Sequence, residues 1–116
     1  MARGDVLMVE LPYPRGRDGH EQVGTRPAVV VQSNAAQDIS TLIIVPATSN
    51  LKAIRFPYTI EVVPSSQNGL SQKSILLVSQ MRAMDKTRVV RTLGTLEKHY
   101  LTQLDEEIMS LLSLLR

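Results

Sequence analysis

Short apolar runs broken by turn formers fill most of the chain, and only the last stretch changes rhythm. The run from Gly24 to Asn50 shows the pattern best: GTRPAVVVQS, then a polar NAAQDI, then STLIIVPATSN. Each half is rich in Val and Ile and too short for a helix, which is how a buried strand reads. Two such runs joined by a short polar connection most simply form an antiparallel hairpin. With Ser33 facing Thr41, each outward step keeps the sum of the two residue numbers constant, and Arg26 comes opposite Thr48. Opposed residues share a face, with Cβ atoms about 4.5–5.5 Å apart. A slip of one residue would turn one of them to the other face. The pattern therefore predicts a guanidinium beside a hydroxyl at one end of an apolar hairpin.

Further elements flank that hairpin on both sides. Gly4 to Leu11 alternates as a first strand, with Glu10 near its exposed end. Prolines and glycines then break regular structure up to Gly24, in a loop holding Tyr13, Arg15, Arg17, His20 and Glu21. Loops this long in small domains are commonly functional. A second irregular segment, SNLKAIRFP, carries Ser49, Asn50, Lys52, Arg55 and Phe56. Tyr58–Val63 is β-rich, and Asn68-Gly69 is a favoured pair for a tight turn. Lys73–Ser79 reads as a fully buried strand that continues past a bend through Gln80, Arg82 and Met84. Lys86–Arg88 reads as a turn and Val89–Leu93 as the last strand. From about Glu97, Leu101, Leu104, Ile108, Leu111, Leu112 and Leu115 recur at helical spacing, predicting a helix over about 97–115. Strands over about 4–93 followed by one helix give a single domain spanning 1–116, mainly β and α+β by content. The expected architecture is a strongly bent antiparallel sheet or barrel, with the helix over an open end or edge. The leucine face of that helix suits core packing and would equally serve a second subunit.

Composition narrows the chemistry. At 116 residues there is room for one modest core. With no cysteine, disulfides and thiolate metal sites are excluded, which suits a reducing cytoplasm. The N-terminus carries acids within its apolar run and has no signal-peptide core. No apolar run reaches the ~20 residues that cross a bilayer. A soluble cytoplasmic protein is expected. The net charge of +2 conceals an uneven distribution, because four of the 11 acids fall in the C-terminal segment and leave a mildly basic body. Arginine outnumbers lysine nine to four, and Arg is the side chain that grips phosphate in a fork. That balance fits nucleic-acid binding and a plain solvated surface alike. His20 and His99 are the only histidines and are far apart, so no histidine metal motif exists. Neither a G-x-S-x-G elbow nor a phosphate-cradling glycine loop is present. Metal-free phosphoryl transfer remains open, since RNA brings its own 2′-OH. Such cleavage needs a proton acceptor, a proton donor and groups that hold charge on phosphorus.

Taken together, GDV, HEQVGTRPAVVVQS, IVPATSN, FPYTIEV and SILLVSQMRAMDKTRV resemble the MazF/PemK toxins. The most specific parts are E-Q-x-G-x-R-P at Glu21–Pro27 and Q-x-R-x-x-D-K at Gln80–Lys86, and the resemblance covers essentially the whole chain. It implies the toxin component of a type II toxin–antitoxin system, with a small SH3-like antiparallel barrel and a C-terminal α-helix. It also implies a homodimeric, metal-independent endoribonuclease without cofactors. Such enzymes cleave single-stranded RNA, chiefly mRNA, at short sequences to 2′,3′-cyclic phosphate and 5′-OH ends, and a cognate antitoxin neutralises them. On this resemblance the catalytic residues are Arg26 and Thr48, with Glu21 an acid linked to activity. RNA contacts are expected from Arg15, Arg17, His20, Ser49, Asn50, Lys52, Arg55, Phe56, Gln80 and Arg82. Tyr13 and Phe56 are suited to stacking on bases.

Read alone, the same residues have plainer roles. Arg26 is then an edge charge, Thr48 a turn residue, Gln80 and Arg82 structural pairs, and Tyr13 and Phe56 loop anchors. One departure stands out: Ser79 occupies a position where related toxins often carry Asp or Glu. A serine is no base at its own pKa, so the base lies elsewhere or the enzyme is slower. Two other outcomes stay open, a catalytically inactive relative that binds its antitoxin, and a gyrase-poisoning toxin of the same barrel such as CcdB. The second would need no Arg26–Thr48 pair.

Overall fold

A computed structural model describes residues 1–11 and 24–114. Seven strands and one helix follow one another: β1 (Asp5–Leu11), β2 (Gly24–Val30), β3 (Thr41–Thr48), β4 (Thr59–Val62), β5 (Ser74–Leu77), β6 (Arg82–Asp85), β7 (Val89–Thr95) and α1 (Lys98–Leu111). All pairings are antiparallel, in the order β4-β5-β3-β2-β1-β7, with β6 also on β3. This is the mainly β sheet with a C-terminal helix that the sequence predicts.

β1, β2 and β3 form the middle of the sheet and are buried on both faces, which is why their sequences run nearly unbroken in Val, Ile and Leu. On one face Val6, Val29, Val45 and Ala47 join Leu76 and Leu104 in a core roofed by α1. On the opposite face Leu7, Val9, Ala28, Val30, Leu42, Ile44 and Met84 form a second core. The β2–β3 register is Ala28 with Pro46, Val29 with Val45 and Val30 with Ile44. That is the register read from the sequence. Gln32 extends it beyond the strand, its side chain accepting from the Ile43 N–H and donating to the Thr41 carbonyl.

A proline decides where the ladder stops. Pro27 has no N–H to give across to Ala47, and the paired part of β2 and β3 ends at Ala28 and Pro46. On the other side of β3, Ala47 pairs with Leu76 while Ile44 pairs with Arg82. Three extra residues have entered the neighbouring strand between those points, and they form the 3₁₀ turn Val78–Gln80. The continuous apolar run from Ser74 thus becomes two strands joined by a short turn, and that turn takes in Gln80, which the sequence places in the strand after the bend.

The helix is held at its start. The Glu97 carboxylate accepts from the Ser65 hydroxyl at 2.9 Å and the Asn68 amide at 3.0 Å, and the Tyr100 hydroxyl accepts from the Val63 N–H. An Arg3–Asp105 ion pair ties its middle to the N-terminal segment. It stops at Leu111 rather than near 115, because Ser113 takes a left-handed conformation (φ 58°) and the Leu114 N–H turns back to the Met109 carbonyl. The apolar spacing continues past that point, so the stop has no signal in the periodicity.

Candidate active site

β3 ends at Thr48 on the sheet face opposite α1. Side chains alternate along a strand, so Thr48 shares the face of Leu42 and Ile44. Arg26, two residues before Ala28, shares that face on β2 for the same reason. Continued by two residues past the last pair, the observed register sets Arg26 opposite Thr48. The opposition falls just where Pro27 ends the ladder, so the strands are free to part there. Arg26 is itself paired along the backbone with Val9 of β1.

Beyond Thr48 the chain closes one side of a cleft of about 650 Å³. The Thr48 hydroxyl accepts the Asn50 N–H at 3.2 Å, and the Asn50 side-chain oxygen accepts the Lys52 N–H at 3.1 Å. These two bonds start the 3₁₀ turn Leu51–Arg55. Only Ala53 of that turn is buried, against Ile75 and Leu77. The Thr59 hydroxyl donates to the Phe56 carbonyl at 2.9 Å and fixes the far end. Tyr58, at φ 59°, makes the bend into β4, a conformation that is strained for a bulky side chain. The Val78 N–H bonding to the Tyr58 carbonyl holds it there.

The expected site residues divide into three groups. Thr48, Asn50, Lys52, Arg55, Phe56 and Gln80 line the cleft together. Ser49 is exposed beside it, whereas Arg26 on β2 and Arg82 on β6 lie outside its described lining. Arg82 pairs with Ile44, which puts it on the same sheet face as Thr48 but farther along β3. Glu21, Arg15, Arg17, His20 and Tyr13 lie outside the described residues. Ser79, singled out for its missing carboxylate, does line the cleft. Sequence reasoning missed Thr59 and Ala53, and only the seating of the 3₁₀ turn on β4 and β5 reveals them.

The chemistry of the cleft follows from its charges. Lys52 and Arg55 stand exposed at the rim, and no carboxylate is among the described lining residues. An anion entering there meets cations and hydroxyls without opposing charge. Phe56 is 60% exposed, an apolar surface offered to solvent and large enough to stack on a base. Among the described residues no three His, Asp or Glu side chains group as metal ligands, and no helix is long and apolar enough to cross a membrane.

Fold and cleft together define a small bent-sheet domain with a cation-rimmed cleft at a strand end. Comparison with known proteins narrows this class. A model of the PemK-like, MazF-like toxins of type II toxin–antitoxin systems matches residues 2–112. An endoribonuclease MazF of Staphylococcus saprophyticus is 30% identical over 109 residues, 93% of this chain and 88% of the relative. An endoribonuclease solved in complex with its cognate antitoxin, from a mycobacterial species, matches with a TM-score of 0.78 at 18% identity, covering 100% of this chain and 98% of that one. A MazE–MazF structure from Deinococcus radiodurans matches with a TM-score of 0.72 at 25% identity, covering 99% and 97%. The chain belongs to the PemK-like, MazF-like toxin family of type II toxin–antitoxin systems.

Proposed function

We propose that this toxin is an endoribonuclease that cleaves single-stranded RNA at the strand end where Arg26 comes opposite Thr48, beside the cleft. The observation that carries the reading is the cleft itself: a strand-end hydroxyl, two rim cations and an exposed aromatic ring, with no carboxylate among its described lining residues. Endoribonuclease activity is carried over from the staphylococcal relative, 30% identical across 93% of this chain. The 2′-OH attacks the neighbouring phosphorus and loses its proton while the bond from phosphorus to the 5′-oxygen breaks. That oxygen takes up a proton, leaving a 2′,3′-cyclic phosphate and a 5′-OH with no water consumed. Arg26 supplies charge-assisted hydrogen bonds to the phosphorane, where developing charge makes them strongest. A guanidinium carries only donors and is a poor base, so the 2′-OH proton goes to another group or to water. Glu21 and His20, in the segment before β2, are candidates for that transfer.

Lys52 and Arg55 hold flanking phosphates, with Arg15 and Arg17 in the same role from the segment before β2. Phe56 and Gln80 contact unstacked bases, whose faces and edges are what proteins read in single strands. The toxin acts in the cytoplasm as a homodimer. Its cognate antitoxin covers the same cation-rimmed cleft, so RNA and antitoxin compete.

The test uses purified toxin, mixed-sequence single-stranded RNA and excess EDTA. Cyclic-phosphate ends are expected, with Arg26→Ala slower by about 10²–10³-fold, the cost of losing an oxyanion-type donor. Full activity of Arg26→Ala at an unchanged thermal midpoint would remove Arg26 from the chemistry. Intact RNA together with gyrase inhibition would replace the reading altogether.

A further inference from the structure

We infer that Asn50 is a positioning residue that fixes the Thr48 hydroxyl as a hydrogen-bond donor, assigning it to a non-bridging phosphate oxygen rather than to the 2′-OH proton. This rests on the reading of the cleft as the RNA-cleaving site.

A threonine hydroxyl has one hydrogen to give and two lone pairs. The Asn50 N–H occupies one lone pair at 3.2 Å. An oxygen that accepts a hydrogen bond becomes a better donor and a poorer acceptor, because the bonds polarise one another. Among the described residues no acceptor takes the hydroxyl hydrogen, and Thr48 is 8% exposed while lining the cleft. Its β-branched side chain at a strand end has few χ1 choices, so the hydroxyl oxygen is held in place. A shielded donor facing an anion site complements the charged oxygen of a phosphodiester. The 2′-OH needs an acceptor for its proton, which a polarised hydroxyl is badly suited to be.

Asn50 also acts through its side chain. Its oxygen caps the 3₁₀ turn by accepting from the Lys52 N–H, and that turn carries Lys52 and Arg55. One residue therefore ties the hydroxyl to the cation-bearing turn, through two bonds that mutation can separate. Asn50→Ala removes the cap and keeps the N–H; Asn50→Asp keeps both. Asn50→Pro removes both, and the observed φ of −75° is one proline adopts.

The experiment is single-turnover cleavage of RNA oligonucleotides carrying a phosphate or an Rp or Sp phosphorothioate at the scissile position. Sulfur is a weak acceptor, so the wild type should show a thio effect with the diastereomer whose sulfur faces Thr48, separate from any at the oxygen that Arg26 holds. Asn50→Pro should cleave the all-oxygen RNA more slowly, by roughly tenfold to a hundredfold, the span of a hydrogen bond to a charged oxygen. Its thio effect should flatten, as in Thr48→Ala. Asn50→Ala should raise KM and keep the thio effect, and Asn50→Asp should restore KM. A wild-type rate and thio effect in Asn50→Pro, with Thr48→Ala slowed and its thio effect flattened, would overturn the positioning role and leave the cleft reading intact. Full activity in Thr48→Ala would overturn the reading beneath it. Should Asn50→Pro not fold, Thr48→Ala decides, since thio effects unchanged from the wild type with both diastereomers would overturn the donor assignment.

Discussion

Asn68 and Asn50 both sit in turns, and each holds a nearby backbone N–H with its side-chain oxygen; what surrounds them differs completely. Asn68 is fully buried beneath the start of α1. Its oxygen accepts from the Ser65 and Leu70 N–H groups, and its amide donates to the Val63 carbonyl and the Glu97 carboxylate. Every strong bond it can make is used inside the protein. Asn50 is exposed, holds one N–H through its oxygen and keeps its amide at the rim of the cleft. The same contrast separates the two faces of the sheet. Under α1, polar groups satisfy one another and fix the structure, whereas at the cleft Lys52, Arg55, Phe56 and Ser79 are turned to solvent. Variants on the helix side should therefore change stability and spare the chemistry, and variants at the cleft should do the reverse.

The strongest attempt to break that division is Gly69→Ala. Gly69 has φ +71°, and a Cβ there would lie 2.0 Å from the Leu93 carbonyl oxygen of β7. Backbone must move to admit it, in a conformation that L residues rarely take. We expect a loss of about 4 kcal/mol or more in urea unfolding, at the exceptional end for one substitution. The fraction that remains folded should cleave RNA with wild-type KM. A midpoint close to wild type would mean that the segment before β5 is not the fixed support its hydrogen bonds indicate.

A smaller effect of opposite kind is expected from Lys52→Ala combined with Arg55→Ala. Both side chains are exposed and neither is in an ion pair among the described residues, so stability should stay within about 0.5 kcal/mol. KM should rise, and the dependence of log KM on log salt should become shallower by roughly 0.7 for each phosphate that the two cations no longer neutralise. An unchanged salt slope would show that RNA phosphates do not pass over this rim. A lower thermal midpoint would blur the division from the other side.

The cleft side was the more legible of the two in the sequence, for a physical reason. The β2–β3 hairpin is local, its apolar pattern permits one register, and that register alone fixes which residues share the end with Arg26. Asn50, Lys52, Arg55 and Phe56 follow within eight residues of Thr48, so their clustering needs no distant contact. The helix side depends on contacts across long stretches of chain. Asn68-Gly69 reads as a tight hairpin turn, yet the 63–73 segment folds inward and buries Asn68 against a carboxylate 29 residues away. Glu97 reads as one of several solvated acids near the C-terminus, and nothing local marks it as the partner of Ser65. The 3₁₀ turn at Val78–Gln80 is hidden for a related reason, since apolar side chains continue through it and only the shifted pairing on β3 exposes the three extra residues.

The smallest expected effect bears on that hidden contact. Burial raises the Glu97 carboxyl pKa, but its own backbone N–H, the Ser65 hydroxyl, the Asn68 amide and nearby His99 outweigh it and hold the pKa below the ordinary 4.5. A carboxylate with a depressed pKa in the folded state adds stability that is complete above its unfolded value and fades as pH falls through the folded one. The wild type should therefore lose part of its stability below about pH 4.5 through this group. Glu97→Gln should be less stable than the wild type at pH 7, and the gap should narrow as pH drops below that value. Asp85 adds a parallel acid dependence, its carboxylate held low mainly by the Thr87 N–H, but that contribution is common to both proteins and cancels in the difference. Urea midpoints of the two proteins between pH 7 and 3 read the gap directly. A gap that stays constant over that range would mean the contact is held by shape alone, and that the charge on Glu97 does not help to seat α1.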